Sequence, residues 1–375
     1  MHYFTTRRNH APPQKEGETK VKKYLFHPAG LLAIITAVAI LAGSAVPGAA
    51  QGGPKKTDSL YIGDAKDNTV QRYDVPTRDF GGTFVTSNSG GLNGPRGMIF
   101  DHDGNLLIAN QNVDSPVAGE ILRYNGKTGA FMGALVPSSD PDAPFAPRGI
   151  VLGTDNTLYV ADFIAGDNVG AGRVARYDGA SGVFLGNLDA TGYAGPYHPR
   201  GLVFGPDGLL YVSTRSTTTG LGGGVLRFNP ATRLFVDVFV VSDGTNDLNR
   251  PEGLVFGPDG NLYITSFRAD AFDTDKVLAF AGPGSMTPGA YVVKIDLAAP
   301  EALGGRRAFA QAILFGPGGL LYVPITGNDP QTTGQVRRYN VSTGGFDLFA
   351  TSAHLGQPWY LTFGKTDPAT LAYHD

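Results

Sequence analysis

Hydrophobic and polar positions alternate in short runs along most of this chain, and the same alternation returns at a fixed interval. HPRGLVFGPDGLLYVST (198–214) is followed 52 residues later by RPEGLVFGPDGNLYITS (250–266). Related segments begin at residues 94, 146 and 309, and a sixth opening, QPWYLTF, covers 357–363. A period of this length indicates one supersecondary unit used repeatedly.

Each repeat predicts four strands and no helix. The first is the apolar stretch after the repeat glycine (202–204), and a Pro-Asp-Gly turn leads into the second (210–213). Runs such as RVARYD (173–178) and VFLGNL (183–188) supply the third and fourth. Four short strands per repeat of this length predict the blade of a β-propeller.

The two ends of the repeat region complement each other. SLYIGD (59–64), TVQRYD (69–74) and GTFVTS (82–87) match strands two, three and four, and WYLTF (359–363) matches the missing first strand. The chain is therefore predicted to be all-β, a six-bladed propeller of four-stranded blades spanning 58–375. Pairing of its N- and C-terminal strands would close the ring and remove exposed sheet edges. Residues 366–375 have no assigned place in this pattern.

The N-terminal region has the features of an export signal. Basic residues precede an apolar run (29–46) that ends in small residues, so residues 1–50 are predicted to be a signal peptide cut after Ala50, with a linker over 51–57. The alternative is an uncleaved membrane anchor, because the apolar run is at the lower length limit for spanning a bilayer. Either reading predicts an exported protein, periplasmic, secreted or at the cell surface. Contact with a membrane is expected only if this segment is retained.

Charge and composition narrow the classes of partner. Cleavage after Ala50 removes six basic and two acidic residues, which leaves 24 basic and 31 acidic groups and a formal charge of −7. A net negative surface disfavours nucleic-acid binding. The chain contains no cysteine, so disulfides and thiolate chemistry are excluded.

One position in each repeat predicts a central site. The residue before the repeat glycine opens the innermost strand and is expected to line the mouth of the channel; the six are Arg96, Arg148, Arg200, Glu252, Gln311 and Trp359. Guanidinium groups suit carboxylates. The ring therefore predicts a binding or interaction scaffold for an acidic small molecule, saccharide or protein. Loops on the same face vary while the opposite turns are nearly constant, which favours function at this face. The alternative is that the arginines pair with nearby second-strand ends (Asp64, Asn110, Asp162) and only tie blades together.

The Pro-x-Gly, Asp-Gly-x-Leu-Tyr-Val and Arg-Tyr-Asp columns resemble those of NHL-repeat propellers over residues 58 to about 365. Relatives of that group include gluconolactonase (SMP-30) enzymes and streptogramin B lyases. The resemblance implies a second hypothesis, a metal-assisted lactonase or hydrolase, or a lyase, with Glu252 as general base. In the lactonases acidic and amide side chains at the ring position hold calcium, and only Glu252 and Gln311 match here. Adjacent guanidiniums would repel a cation, so that metal site is expected to be absent.

Three further groups carry weaker signals. Asp270, Asp273 and Asp275 lie in one loop and could form a weak Ca²⁺ site, so calcium is the one cofactor left open and none is certain. The lyase relatives depend on histidine, but His198 and His354 fall in loops three blades apart and are not expected to act together. An arginine recurs in the third strand of five blades and is predicted to bond to the neighbouring blade: Arg72, Arg123, Arg176, Arg227 and Arg338.

Overall fold

A computed structural model describes residues 58–164, 171–217, 221–326, 334–351 and 354–375. The predicted signal peptide and linker (1–57) lie outside these residues. No helix within the described ranges is long and apolar enough to cross a membrane. Short 3-10 turns occur at Ser89–Gly91, Glu301–Leu303 and Pro317–Gly319, and the remaining regular structure consists of strands.

The strands form six antiparallel sheets of four, which confirms the propeller predicted from the repeats. The described chain begins with β1 (Ser59–Asp64), β2 (Thr69–Asp74) and β3 (Phe80–Val85). Blade 1 follows with β4 (Pro95–Phe100), β5 (Leu106–Asn110), β6 (Glu120–Tyr124) and β7 (Phe131–Val136). Blade 2 contains β8 (Pro147–Leu152), β9 (Thr157–Asp162), β10 (Arg173–Asp178) and β11 (Phe184–Asn187).

The later blades repeat this order. Blade 3 contains β12 (Pro199–Phe204), β13 (Leu210–Thr214), β14 (Gly224–Phe228) and β15 (Phe235–Val241). Blade 4 contains β16 (Pro251–Phe256), β17 (Leu262–Ser266), β18 (Lys276–Phe280) and β19 (Tyr291–Asp296). Blade 5 contains β20 (Leu314–Phe315), β21 (Leu321–Ile325), β22 (Gln335–Tyr339) and β23 (Phe346–Thr351).

Blade 6 closes the ring. Its inner strand, β24 (Pro358–Phe363), pairs antiparallel with β1, and the register runs from Leu60 opposite Phe363 to Asp64 opposite Pro358. The sheet order is β24-β1-β2-β3, so the two ends of the repeat region share one blade as the sequence predicts. This pairing covers the edge of β1 that would otherwise be exposed at the seam.

Aromatic contacts between blades explain the Tyr and Phe columns of the repeat. The tyrosine of a second strand packs edge-on against the phenylalanine that ends the first strand of the next blade, with ring centroids about 5 Å apart, as in Tyr211 with Phe256 and Tyr263 with Phe315. The same arrangement joins Tyr159 to Phe204 and Tyr322 to Phe363. These edge-to-face contacts have the geometry that aromatic pairs prefer. Through them, each blade buries apolar surface against its neighbour.

The arginine column of the third strands corrects one prediction. Arg72, Arg176, Arg227 and Arg338 donate to groups of the fourth strand in their own blade, for example Arg72 Nη2 to the Gly81 carbonyl at 2.9 Å. Among the five, within the described residues, Arg123 alone reaches the neighbouring blade, at the carbonyls of Gly179 and Ala180. The prediction was wrong for four of the five, because the adjacent strand presents acceptors nearer than the next blade does.

Residues 366–375, which the repeat pattern left unassigned, cross the end of the channel opposite the predicted mouth. The Pro368 carbonyl accepts from Leu152 N at 2.9 Å, and the Ala369 carbonyl accepts from Phe204 N at 3.1 Å. Leu371, at a φ of 55°, packs against the hydrophobic clusters of several blades. This segment plugs the axis and links inner strands of blades 2 and 3 to blade 6.

Candidate functional site

A β-bulge orients the side chains that open the inner strands. In blade 1 the pairing of β4 with β5 shifts register between Pro95 and Met98, so that the Arg96–Gly97 pair sits in an irregularity. The same shift recurs in blades 2, 3 and 4. A bulge turns a side chain away from the direction that simple alternation would give it. The ring residues therefore leave the sheet plane next to the axis.

The repeat glycines allow the inner strands to approach one another closely. A Cβ atom on Gly97 would lie 2.6 Å from the carbonyl oxygen of Arg148, and one on Gly149 would lie 2.8 Å from that of Arg200. Real Cβ atoms do not approach backbone this closely. In blades 1 to 4 the glycine after the ring residue is thus a packing requirement, and it brings neighbouring ring residues together.

The structure gathers the six predicted ring residues at one end of the channel. Arg96 donates from Nε to Gln111 Oε1 at 2.6 Å and from Nη1 to Gln311 Oε1. Its guanidinium carbon lies 3.5 Å from the centroid of the Trp359 ring, a cation–π contact between blades 1 and 6. Residues on blades 1, 5 and 6 therefore meet at one point of the ring.

Glu252, in β16 of blade 4, is the carboxylate of the ring. It is 1% exposed, and its Oε1 lies 2.7 Å from Arg215 Nη1 and 3.6 Å from Arg200 Nε. Its second oxygen, Oε2, is buried and has no hydrogen-bond partner. Arg200 stacks on Phe163, with 3.5 Å between the guanidinium carbon and the ring centroid.

Arg148 lies between these two groups. It is 8% exposed, its Nε has no hydrogen-bond partner, and its guanidinium carbon is 5.5 Å from the Phe163 ring. Within the described part of the chain it forms no ion pair. Arg215, Gln311 and Trp359 keep partial exposure and mark the side from which the ring is reached.

The ring carries more positive than negative charge. Four guanidiniums, those of Arg96, Arg148, Arg200 and Arg215, face the single carboxylate of Glu252. Burial lowers the pKa of Arg96 and that of Arg148 to about 9, and it lowers the pKa of Arg200 as well. Burial alone would raise the pKa of Glu252, but the surrounding arginines outweigh it and hold that pKa below its usual range.

The second-strand ends Asp64, Asn110 and Asp162 are not the partners of the ring arginines, so the prediction of those pairs was wrong. Contacts between blades do exist, because Arg96 bonds to Gln311 and Arg200 lies beside Glu252. Asp64 accepts from the backbone of Gly356 and Gln357, and Asp162 accepts from the backbone of Phe145 and Ala146. Asn110 Oδ1 accepts from Asn93 N at 2.7 Å. These side chains satisfy backbone donors in the loops that enter each inner strand, and this leaves the guanidiniums to other partners.

The three loop carboxylates predicted as a weak Ca²⁺ site, Asp270, Asp273 and Asp275, bond to different partners. Asp275 is buried, pairs with Arg307 at 2.7 Å and accepts from the backbone of Ala308 and Phe309. Asp273 accepts from Lys276 Nζ at 2.7 Å, and Asp270 accepts from Phe272 N at 2.8 Å. Across the ranges that the structure describes, no group of three or more His, Asp or Glu side chains could hold a metal ion.

The two loop histidines have different neighbours. His198 Nδ1 lies 3.1 Å from the Phe163 carbonyl, whereas His354 stacks on Phe80 with ring centroids 3.7 Å apart. The His198 ring centroid also lies 5.3 Å from that of the Phe163 ring, so each histidine has its own aromatic contact.

A second layer of residues was missed in the sequence. Gln111, Phe163, Arg215 and Phe267 each follow directly after a second strand. Gln111 contacts Arg96, Phe163 contacts Arg200, and Arg215 pairs with Glu252. The signal was present, because they occupy one position of the repeat. It was hidden because this position begins a loop whose length and composition vary between blades.

Comparisons with known proteins bear on the fold. No protein-family model matches this chain. No curated protein matches its sequence either.

Solved structures do match it. The periplasmic gluconolactonase of Pseudomonas aeruginosa is 17% identical, with a TM-score of 0.53 over 82% of this chain and 99% of the other. A proposed 6-phosphogluconolactonase from Bacteroides fragilis is 14% identical, with a TM-score of 0.51 over 83% and 99% of the two chains. The extracellular domain of a proposed hybrid two-component system from B. thetaiotaomicron, also 14% identical, has a TM-score of 0.51 over 82% of this chain and 34% of the other. The resemblance to gluconolactonase-like propellers is therefore confirmed at the level of the fold.

Proposed function

We propose that this chain is an exported propeller that binds an anionic ligand, a sugar acid or another small organic acid, at the arginine ring. The observation that carries the proposal is the charge imbalance at the ring, where four guanidiniums face one buried carboxylate. Buried charge without a counter-charge costs several kcal/mol per ion. A ligand carboxylate would remove that cost, and guanidinium groups bind carboxylates through two parallel hydrogen bonds.

Arg148 is the arginine best placed to receive the ligand carboxylate. Arg96 is engaged by two amide oxygens and Trp359, while Arg200 and Arg215 share Glu252. Arg148 lies between these groups and, among the described residues, has no carboxylate partner; its Nε, like those of Arg200 and Arg215, has no hydrogen-bond partner. The free Glu252 Oε2 would accept a hydrogen bond from a ligand hydroxyl, which favours a hydroxylated acid over a simple one.

Export is supported by the basic and apolar N-terminal residues. Two of the structures with this fold come from a periplasmic enzyme and an extracellular domain. A signal peptide over residues 1–50 would deliver this propeller to the same side of the membrane.

The second candidate, a lactonase, hydrolase or lyase at the same ring, is favoured by the fold it shares with gluconolactonases. The residues at the ring do not fit a calcium ion, because Glu252 faces arginines and the Gln311 amide oxygen accepts from Arg96. The lowered pKa of Glu252 also makes it a weak general base. The Glu252→Gln variant separates the candidates: it abolishes turnover in an enzyme and changes affinity only modestly in a binder.

Trp359 is the only tryptophan in the chain and lies in the ring, so intrinsic fluorescence reports on the site directly. D-galacturonate is expected to change this fluorescence saturably, and D-galactose, the matched neutral sugar, is not. Arg148→Met is expected to weaken galacturonate binding about tenfold or more, because the guanidinium that receives the ligand carboxylate is lost. A tenfold change in Kd corresponds to about 1.4 kcal/mol.

The control is Arg176→Met, which removes a third-strand arginine bonded to Leu185 of its own blade. It should bind like the unaltered protein. The proposal fails if galacturonate and other hydroxy acids give no saturable signal, or if the two variants bind equally well.

A further inference from the structure

The ring of glycines around the axis is interrupted by one large side chain. The position after each ring residue is occupied in turn by Gly97, Gly149, Gly201, Gly253, Ala312 and Tyr360. All six line a small axial cavity of about 40 Å³. Four glycines therefore leave space at the axis, and Tyr360 of blade 6 extends into it.

The Tyr360 hydroxyl is a buried donor without a partner. The residue is 6% exposed, and its hydroxyl oxygen has no hydrogen-bond partner in the structure. Tyr360 directly follows the ring residue Trp359 in β24, and its hydroxyl interacts electrostatically with Glu252, Arg96, Arg148 and Arg200, so it lies near the charged groups of the ring. Burial raises the pKa of Tyr360, and the phenol therefore stays protonated and able to donate at neutral pH.

The plug formed by residues 366–375 supports the tyrosine from the other side. Leu371 lines the same axial cavity as Tyr360, and it packs against clusters from most of the blades. Tyr373 packs edge-on against Phe363 at the end of β24, with ring centroids 5.1 Å apart. The plug thus fills the channel below the tyrosine and is tied to the strand that carries it.

We infer that Tyr360 is a ligand-binding residue that forms the floor of the arginine ring and donates its hydroxyl to the bound carboxylate. This inference rests on the proposed function. Its geometric basis is that Tyr360 O–H and Glu252 Oε2 are both buried and unpartnered, so they do not bond to each other. A hydroxylated carboxylate between them satisfies both groups: Tyr360 donates its hydroxyl to the ligand carboxylate, and Glu252 Oε2 accepts from a ligand hydroxyl.

The test compares two tyrosines that lose the same atom. Tyr360→Phe removes the hydroxyl at the axis, while Tyr73→Phe removes another buried, unpartnered hydroxyl on β2. Galacturonate binding, followed by Trp359 fluorescence and by calorimetry, is expected to weaken about tenfold in Tyr360→Phe, because a hydrogen bond to a charged group is lost. Tyr73→Phe should bind unchanged. Both variants should keep or raise the melting temperature, since neither hydroxyl has a partner to lose.

The outcomes separate this inference from the proposed function. If the unaltered protein does not bind galacturonate or another hydroxy acid, the proposed function itself is wrong. If it binds and Tyr360→Phe binds equally well, the ligand lies above the ring without reaching the floor, and the assignment of Tyr360 is overturned.

Discussion

Replacing Glu252 by glutamine tests whether this carboxylate is the counter-charge of the ring. The change keeps the size of the side chain but removes its negative charge. That charge lies close to two guanidiniums, because Oε1 is 2.7 Å from Arg215 and 3.6 Å from Arg200. Removing one partner of a buried ion pair costs about 3–5 kcal/mol. The amide oxygen can still accept one hydrogen bond, so we expect the lower end, about 3 kcal/mol of unfolding free energy at pH 7.

The pH dependence supplies the sharper readout. The folded-state pKa of Glu252 lies below its usual value, so its contribution is fully present above about pH 4.5 and disappears as the pH falls through the folded-state pKa. Urea denaturation should therefore show a constant difference between the unaltered protein and Glu252→Gln from pH 5 to 8, and a shrinking one below that range.

Glu301→Gln provides the matched control. Glu301 is about half exposed and pairs with Arg268 at the surface, so its loss should cost at most about 1 kcal/mol. Equal stability of Glu252→Gln and the unaltered protein at pH 7, or a difference that does not narrow in acid, would refute the assignment of Glu252 as the counter-charge.

Two further substitutions test the geometry around the axis. Gly149→Ala should lower the unfolding free energy by about 1–3 kcal/mol, because its Cβ would meet the Arg200 carbonyl at 2.8 Å, whereas Gly284→Ala, with open space around it, should be nearly neutral in the same denaturation assay. Leu371→Ala should lower the melting temperature clearly more than Leu303→Ala, since Leu371 packs at the axis and Leu303 is exposed; equal shifts would show that the plug adds little to stability.

The fold could be predicted because the information is repeated. Five near-copies of one segment give five independent readings of the same strand order, and the incomplete first and last copies specify how the ring closes. The plug could not be predicted in the same way. Its position depends on the space that four glycines leave at the axis, and residues 366–375 carry no repeat that would point to it.

The ring could be located from the sequence, but its partners could not. Strand alternation places Arg96 and its equivalents near the axis, whereas the bulge that directs them is visible only in the pairing register. Asp64 and Asp162 looked like natural partners because they are acidic and close in the repeat. Instead, both carboxylates accept hydrogen bonds from backbone N–H groups of the loops that lead into the inner strands, since an unsatisfied buried N–H is costly.

Closing a ring from repeats forces equivalent residues together, so three arginines at one repeat position become close neighbours of like charge. This chain offsets the repulsion with the carboxylate of Glu252 and with the aromatic faces of Phe163 and Trp359. The aromatic rings carry no net charge, so Glu252 supplies the one full negative charge among these groups. An arrangement that is incomplete in charge is stabilised by whatever anion completes it. A ligand at 100 times its Kd adds about 2.7 kcal/mol to the stability of the folded state. Thermal stability measured across a panel of acids, each beside its neutral analogue, therefore indicates the ligand class when the shift given by an acid is lost in Arg148→Met and kept in Arg176→Met.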